Sequence, residues 1–329
     1  MAKSRFPSWL VAGGALLGGL ALFRAATTDH DMPIGPAVDA LRDEFYGKHS
    51  TLLSYYADKR GEGRPIVLLH SINAAANAYE VRPLFQHFQT ERPVYALDLP
   101  GFGFSERTNR DYSIELYVAA ITDFLEQIVG EPADVLGLSL TSEFLALAAQ
   151  QSPDLFNSIT LVSPTGFTPR QSKPMSQNAE EQNQSKGFYR FLTNPIWSQG
   201  LYDLLVTKPS LRLFLGMNFY GDIDEGLFDY HYRSTHQANA RFAPLTFVSG
   251  SLFSRSILET TYQQLNVPTL VLYDEDPNVS FDLLPEVLSH NGLWRARRII
   301  NTRGLPHFER LDMTINALND FWDDINQDQ

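Results

Sequence analysis

The sequence predicts an α/β protein, a doubly wound and mostly parallel sheet with a helical cap inserted before its last strands. Three observations predict it. Short apolar runs bounded by turn residues recur at Ile66–Leu69, Val94–Leu97, Val135–Leu138, Ser158–Val162, Thr269–Tyr273 and Arg298–Ile300. Runs of that length, β-branched or leucine-rich, fit strands buried on both faces. Helix-length stretches with apolar residues three and four apart separate them, as in Ile114–Ile128 and Glu143–Ala149, and strand alternating with helix builds a parallel sheet through crossovers. The rhythm then breaks between 165 and about 260. A polar tract, Pro169–Lys186, leads there into helical-looking segments carrying Trp197, Tyr202, Phe214, Phe219, Phe228 and Tyr230. Such an interval reads as a cap whose aromatic residues enclose an apolar chamber, with the tract as a loop at its entrance.

Before the first strand, Lys3 and Arg5 precede an apolar stretch from Trp9 to Phe23 closed by Arg24, the layout of a signal peptide or a short membrane anchor. Cleavage needs small residues at the last and third-last positions before the cut. Here Ala25 pairs with Phe23 and Ala26 with Arg24, so residues 1–28 are expected to stay as an anchor that associates the chain with a membrane. Charges ahead of the stretch favour a cytoplasmic N-terminus and a folded domain on the far side. A cleaved segment would make the protein secreted or periplasmic. The remaining chain divides into a first part of the core at 29–164, the cap at 165–260 and a second part of the core at 261–329.

The 329 residues suffice for one large core with an inserted lobe. A formal net charge of −12, with no stripe of Lys and Arg, repels phosphate backbones and excludes nucleic acid as an expected partner. The absence of cysteine excludes a thiol nucleophile, disulfides and Cys-ligated zinc while leaving the compartment open. No phosphate-binding loop is present, and Gly61-Glu-Gly63 reads as a turn ahead of a strand. Nothing in the pattern indicates an oligomeric state.

The chemistry concentrates at Asp134-Val-Leu-Gly137-Leu-Ser139-Leu140-Thr141, where the third apolar run enters a helix. A sharp strand-to-helix turn needs a small residue ahead of the serine so that the hydroxyl projects clear of the sheet. A serine hydroxyl attacks only when a base removes its proton. His307, in Gly304-Leu-Pro-His307-Phe308-Glu309, follows the last strand-like run and is the expected base, while the other histidines, His70 apart, are assigned to solvent or core. The acid that orients the base is expected on the loop after Thr269–Tyr273, where Asp274, Glu275 and Asp276 stand together. Asp276, ahead of Pro-Asn-Val, is preferred, with Asp274 the alternative.

Serine, then acid, then histidine is the chain order of the α/β-hydrolase superfamily, which the sequence resembles from about Ser50 onward. His70-Ser71-Ile72-Asn73 is similar to that family's His-Gly oxyanion loop, and Asp98-Leu-Pro-Gly101-Phe-Gly103-Phe-Ser105 to its Asp-x-x-Gly-x-Gly-x-Ser turn. The resemblance implies backbone N–H groups of Ile72 and Leu140 as the oxyanion hole, with His70 and Ser71 beside the substrate. It also implies hydrolysis of a carboxylic ester or related acyl bond through an acyl-enzyme on Ser139, without metal or organic cofactor. Family members that hydrolyse C–C bonds or act as cofactor-free haloperoxidases use the same three residues, and a non-catalytic binding protein of the same fold is the reading from a different class. The apolar cap and the N-terminal segment point to a lipophilic small-molecule substrate. Two departures stand out: Ser71 and Thr141 occupy positions where the family has glycine.

Overall fold

The computed structural model describes residues 23–169, 187–254 and 256–327. Its strands, in chain order, are β1 Leu41–Tyr46, β2 Leu52–Asp58, β3 Ile66–Leu69, β4 Val94–Asp98, β5 Ala133–Leu138, β6 Phe156–Val162, β7 Thr269–Tyr273 and β8 Trp294–Arg298. They form one sheet in the order β1-β2-β4-β3-β5-β6-β7-β8. β2 runs antiparallel to both β1 and β4, and every pairing from β4 to β8 is parallel. The helices are α1 Arg82–Phe88, α2 Ile114–Phe124, α3 Thr141–Gln151, α4 Ser198–Leu205, α5 Lys208–Met217, α6 Glu225–Thr235, α7 Phe242–Val248, α8 Ile257–Thr260, α9 Leu284–His290, α10 Pro306–Glu309 and α11 Leu311–Gln327.

The continuous apolar runs form the centre of the sheet because both faces of β3, β4 and β5 are buried. Side chains alternate across a strand, so β3 feeds two cores. Val67 and Leu69 pack with Tyr117 and Phe144 of α2 and α3, whose rings stack 5.0 Å apart. Ile66 and Leu68 pack on the opposite face with Phe85 of α1 and Trp322 of α11. The expected doubly wound arrangement is the observed one.

The edges differ from expectation. β1 and β2 are not among the expected strands: β1, Leu-Arg-Asp-Glu-Phe-Tyr, is solvent-exposed along nearly its whole length and carries no apolar alternation to read, while β2 is largely buried but places Ser54 and Asp58 among its apolar residues. At the other edge the last strand is Trp294–Arg298 and not Arg298–Ile300: Trp294 is buried and Ala296 half-buried, while Arg295, Arg297 and Arg298 are exposed. Arginine-rich alternation of this kind suits an edge strand facing water on one side.

Between β6 and β7 the chain leaves the sheet and, among the described residues, is helical from α4 to α8 without a strand. Tyrosine hydroxyls tie this insertion down: Tyr202 Oη donates to Ala74 O at 3.0 Å and Tyr230 Oη to Gly35 O at 2.9 Å. Tyr202, Phe219, Phe228 and Tyr230 are buried in the core that it shares with α1 and α11. The polar tract at 170–186 and the apolar N-terminal stretch up to residue 22, including most of the expected anchor, lie outside the described residues. Among the described residues no helix is long and apolar enough to cross a membrane.

Candidate active site

Parallel strands present all their C-terminal ends at one edge of the sheet, and crevices there collect functional loops. At that edge β5 turns into α3 at Ser139, whose φ of 51° lies in the left-handed region, a conformation that costs a non-glycine residue about 1–2 kcal/mol. The turn is held from both sides. Ser139 N–H donates to Val162 O of β6 at 2.8 Å, and Ser139 O accepts from Ser142 N at 3.0 Å. Gly137 permits the return of the helix, since a Cβ there would stand 3.1 Å from Leu145 Cδ2. This is the geometry of a nucleophile elbow.

Thr141, which replaces a family glycine, uses its hydroxyl. Thr141 Oγ1 donates to His70 O at 2.7 Å and is fully buried, joining the elbow helix to the loop after β3. Thr141→Val is expected to lower stability by about 1 kcal/mol through that lost bond, read as a lower midpoint of urea unfolding with an unchanged slope.

The loop after β3 brings Ser71 and Ile72 to the elbow. Ile72 and Leu140 both line the chamber onto which Ser139 opens, and no acceptor among the described residues takes the N–H of either. The chamber measures about 420 Å³. Its apolar wall is mainly aliphatic: Leu205, Leu211, Leu215 and Met217 come from the insertion, joined by Phe214 and Phe247. Of the six aromatic residues expected to enclose it, Phe214 alone reaches it. The others include the four that pack into the core beneath, so insertion aromatics serve attachment more than lining.

The loop after β7 separates its acids. Asp274 is buried and engaged, accepting from Arg298 Nε at 2.6 Å and from Thr302 N at 3.1 Å. It fastens β8 and the following loop to β7. Asp276 lines the chamber, its Oδ1 accepting from the N–H groups of Asn278 and Val279 at 2.7 and 3.2 Å, with burial pushing its carboxyl above the ordinary value.

Two histidines depart from expectation. His70 does not line the chamber. It is fully buried, with Nδ1 donating to Ser71 O at 2.6 Å and Nε2 accepting from Leu99 N at 2.9 Å, so both ring nitrogens hold the loop together. His307 is not brought to Ser139. Its Nε2 donates to the backbone carbonyl of Glu80 at 2.6 Å, its Nδ1 is buried without a partner, and it is absent from the chamber lining. The reason is its position. His307 lies inside the short helix α10, turned toward the 3-10 turn Ala78–Val81, while Gly304 and Leu305 occupy the part of the loop that faces the chamber.

The chamber also holds a carboxyl–imidazole contact that the sequence did not single out. Glu80 and His231 both line it, with His231 Nε2 at 3.5 Å from Glu80 Oε1. Glu80 is almost wholly buried; its Oε2 accepts from Ser71 N at 2.8 Å and its Oε1 from Asn73 Nδ2 at 3.0 Å. Burial opposes its charge, yet the neighbouring His231, His70 and Ser71 hold the carboxyl down at about 2. One signal was legible: Glu80 is the one charged residue in the segment Ala74–Val81. Nothing in the sequence pairs it with a histidine 151 residues away. Among the described residues no cluster suits a metal ion.

Comparison with known proteins agrees with this geometry. The sequence profile of the alpha/beta hydrolase fold matches residues 64–198, from just before β3 to the start of α4. An uncharacterized hydrolase, YugF of Bacillus subtilis (strain 168), is 27% identical over 118 residues, 35% of this chain and 42% of that protein. The chain spans less than half the length of the curated relatives it matches. Among solved structures, a serine hydrolase involved in carbazole degradation superposes with a TM-score of 0.68 at 15% identity, over 87% of this chain and 99% of the other. A membrane phospholipase A described as a bacterial virulence factor reaches 0.68 at 18% identity, over 97% of this chain and 92% of the other. Sheet order, the positive-φ serine at the turn after β5, the profile match and the structural likeness converge: the chain has the α/β-hydrolase fold, and its residues 64–198 match that family's profile.

Proposed function

We propose that the protein is a serine hydrolase that cleaves a carboxylic ester, or a related acyl bond, of a lipophilic small molecule through an acyl-enzyme on Ser139. The observation that carries this reading is the strained backbone at Ser139, kept at a site where two unpaired N–H groups and an apolar chamber meet. Strain of this kind persists where the surroundings enforce it, and it concentrates at working sites. In the proposed reaction Ser139 Oγ attacks the carbonyl carbon, and the carbonyl oxygen gains charge opposite the N–H groups of Ile72 and Leu140. Donors preorganised in a dry site stabilise that charge by several kcal/mol relative to water. The apolar acyl portion would lie against Leu205, Leu211 and Leu215, and water would later release it.

The same reading makes 165–260 the lid of the chamber, between core segments 29–164 and 261–329. It takes residues 1–28 as the anchor that keeps the enzyme near its lipophilic substrate.

The test is intact-mass analysis of the full chain after exposure to a fluorophosphonate. A single adduct on the parent, absent from Ser139→Ala, is expected, together with faster turnover of medium-chain than acetyl esters. A second reading, a non-catalytic binding protein, has one observation in its favour: no side chain among the described residues hydrogen-bonds Ser139 Oγ. A folded parent that takes no adduct yet binds an apolar ligand would establish it in place of the hydrolase.

A further inference from the structure

Resting on the serine-hydrolase reading, we infer that the base for Ser139 is His231, supplied by helix α6 of the insertion and oriented by Glu80, in place of a histidine from the loop after β8. Of the histidines, His70 and His307 are occupied elsewhere, as their hydrogen bonds show. His231 lines the chamber with Ser139. Its side chain is only 5% exposed and that of Glu80 only 2%, so the pair is shielded from water in the wall of the chamber onto which Ser139 opens.

The proposed roles of the two ring nitrogens follow from the one contact the structure gives, that of Nε2 with Glu80. His231 Nε2 lies 3.5 Å from Glu80 Oε1 and has no other partner, so Nε2 carries the proton and Glu80 receives it. That leaves Nδ1 as the lone-pair nitrogen. Nδ1 takes the Ser139 Oγ proton as the Oγ–carbonyl carbon bond forms, and returns it to the leaving alkoxide as the ester C–O bond breaks. The same exchange with water then frees the acid. Glu80 stabilises the imidazolium formed midway, as the carboxylate of a serine-hydrolase triad does. A separation of 3.5 Å is long for a hydrogen bond, and catalytic contacts of this kind are often long before substrate binds.

Glu80 is anchored for this task. Ser71 N and Asn73 Nδ2 hold its two oxygens, and its backbone carbonyl receives His307 Nε2. His307 is therefore a structural support of the turn that carries Glu80 and takes no part in the proposed proton transfer. Gly304 occupies the chamber-facing place in the loop after β8 and has no side chain to serve as a base there.

The experiment measures the acylation rate of the full chain by fluorophosphonate, with His231→Gln, His231→Ala and His307→Gln alongside and folding checked by circular dichroism. His231→Gln is expected to slow acylation by at least about 10²-fold, mainly in kcat when esters are used. Added imidazole is expected to restore part of the rate to His231→Ala, a rescue that loss of packing would not show. His307→Gln, which keeps a donor for Glu80 O, is expected to acylate within a few-fold of the parent. Parent-like acylation by folded His231→Gln, or a large loss in His307→Gln with none in His231→Gln, would overturn the assignment while leaving the hydrolase intact. A parent that takes no adduct would overturn both.

Discussion

Ser139→Gly is expected to abolish ester turnover, by at least about 10³-fold in kcat/KM, without lowering stability. The first effect follows from removing the attacking oxygen. In serine hydrolases loss of the nucleophile costs several orders of magnitude, with a residue of rate left by the oxyanion hole and binding. The second follows from the backbone. At φ 51° a side chain costs about 1–2 kcal/mol that glycine does not, while the greater freedom of glycine in the unfolded chain returns about 0.4–1 kcal/mol of that. The net change lies between zero and about 1.6 kcal/mol of stabilisation, measurable as an unchanged or higher urea midpoint. Among the described buried serines only Ser163, at φ 45°, shares this conformation; at the others a serine-to-glycine change would gain no such relief. Retained turnover, or a clear drop in midpoint, would mean that Ser139 is an ordinary helix-start residue and that its strain serves neither fold nor chemistry.

The sheet was legible because its central strands answer to a local rule. Val67 and Leu69 face one core and Ile66 and Leu68 the other, so every position must be apolar and the run announces itself. The same rule hides the edges. Nearly all of β1 is exposed and β8 alternates arginine with buried or half-buried residues, and neither pattern differs from a polar loop when read alone. The elbow was legible for a further reason: a tight strand-to-helix turn restricts residue size at Gly137 and conformation at Ser139, and both restrictions act on neighbours in sequence.

The base was not legible because its identity depends on tertiary placement. His307 satisfies the order that a triad requires, and its helix and the turn at Ala78–Val81 then take it away from the chamber. What brings Glu80 to His231 is the docking of the insertion over the core, fixed by such contacts as Tyr202 Oη with Ala74 O, and no local spacing encodes that. Asp276 and Asp274 show the intermediate case. The loop was predicted, and the structure divides its acids by partner, Asp274 to Arg298 and Asp276 to the chamber.

The placement of His307 carries its own expected result, in the pH dependence of stability. Burial drives its pKa down from the ordinary 6.5 to about 4, against the smaller opposing effects of the Glu80 carbonyl and carboxylate. The unfolded chain therefore binds a proton between pH 6.5 and 4 that the folded chain refuses. Stability from this residue is fully present above pH 6.5 and is lost as pH falls toward 4, by about 3 kcal/mol in all. His70, also buried with its pKa lowered, adds in the same direction. Urea unfolding at pH 7 and pH 4.5 should show the parent losing stability, and His307→Gln should lose about 2–3 kcal/mol less over that interval, because glutamine keeps a donor for Glu80 O and has no proton to gain. A histidine that faced Ser139 from a solvated chamber would titrate near its ordinary value and give no such difference. Equal losses in parent and variant would thus return His307 to the chamber, whereas the expected gap keeps it as the buried, neutral support of the turn that carries Glu80.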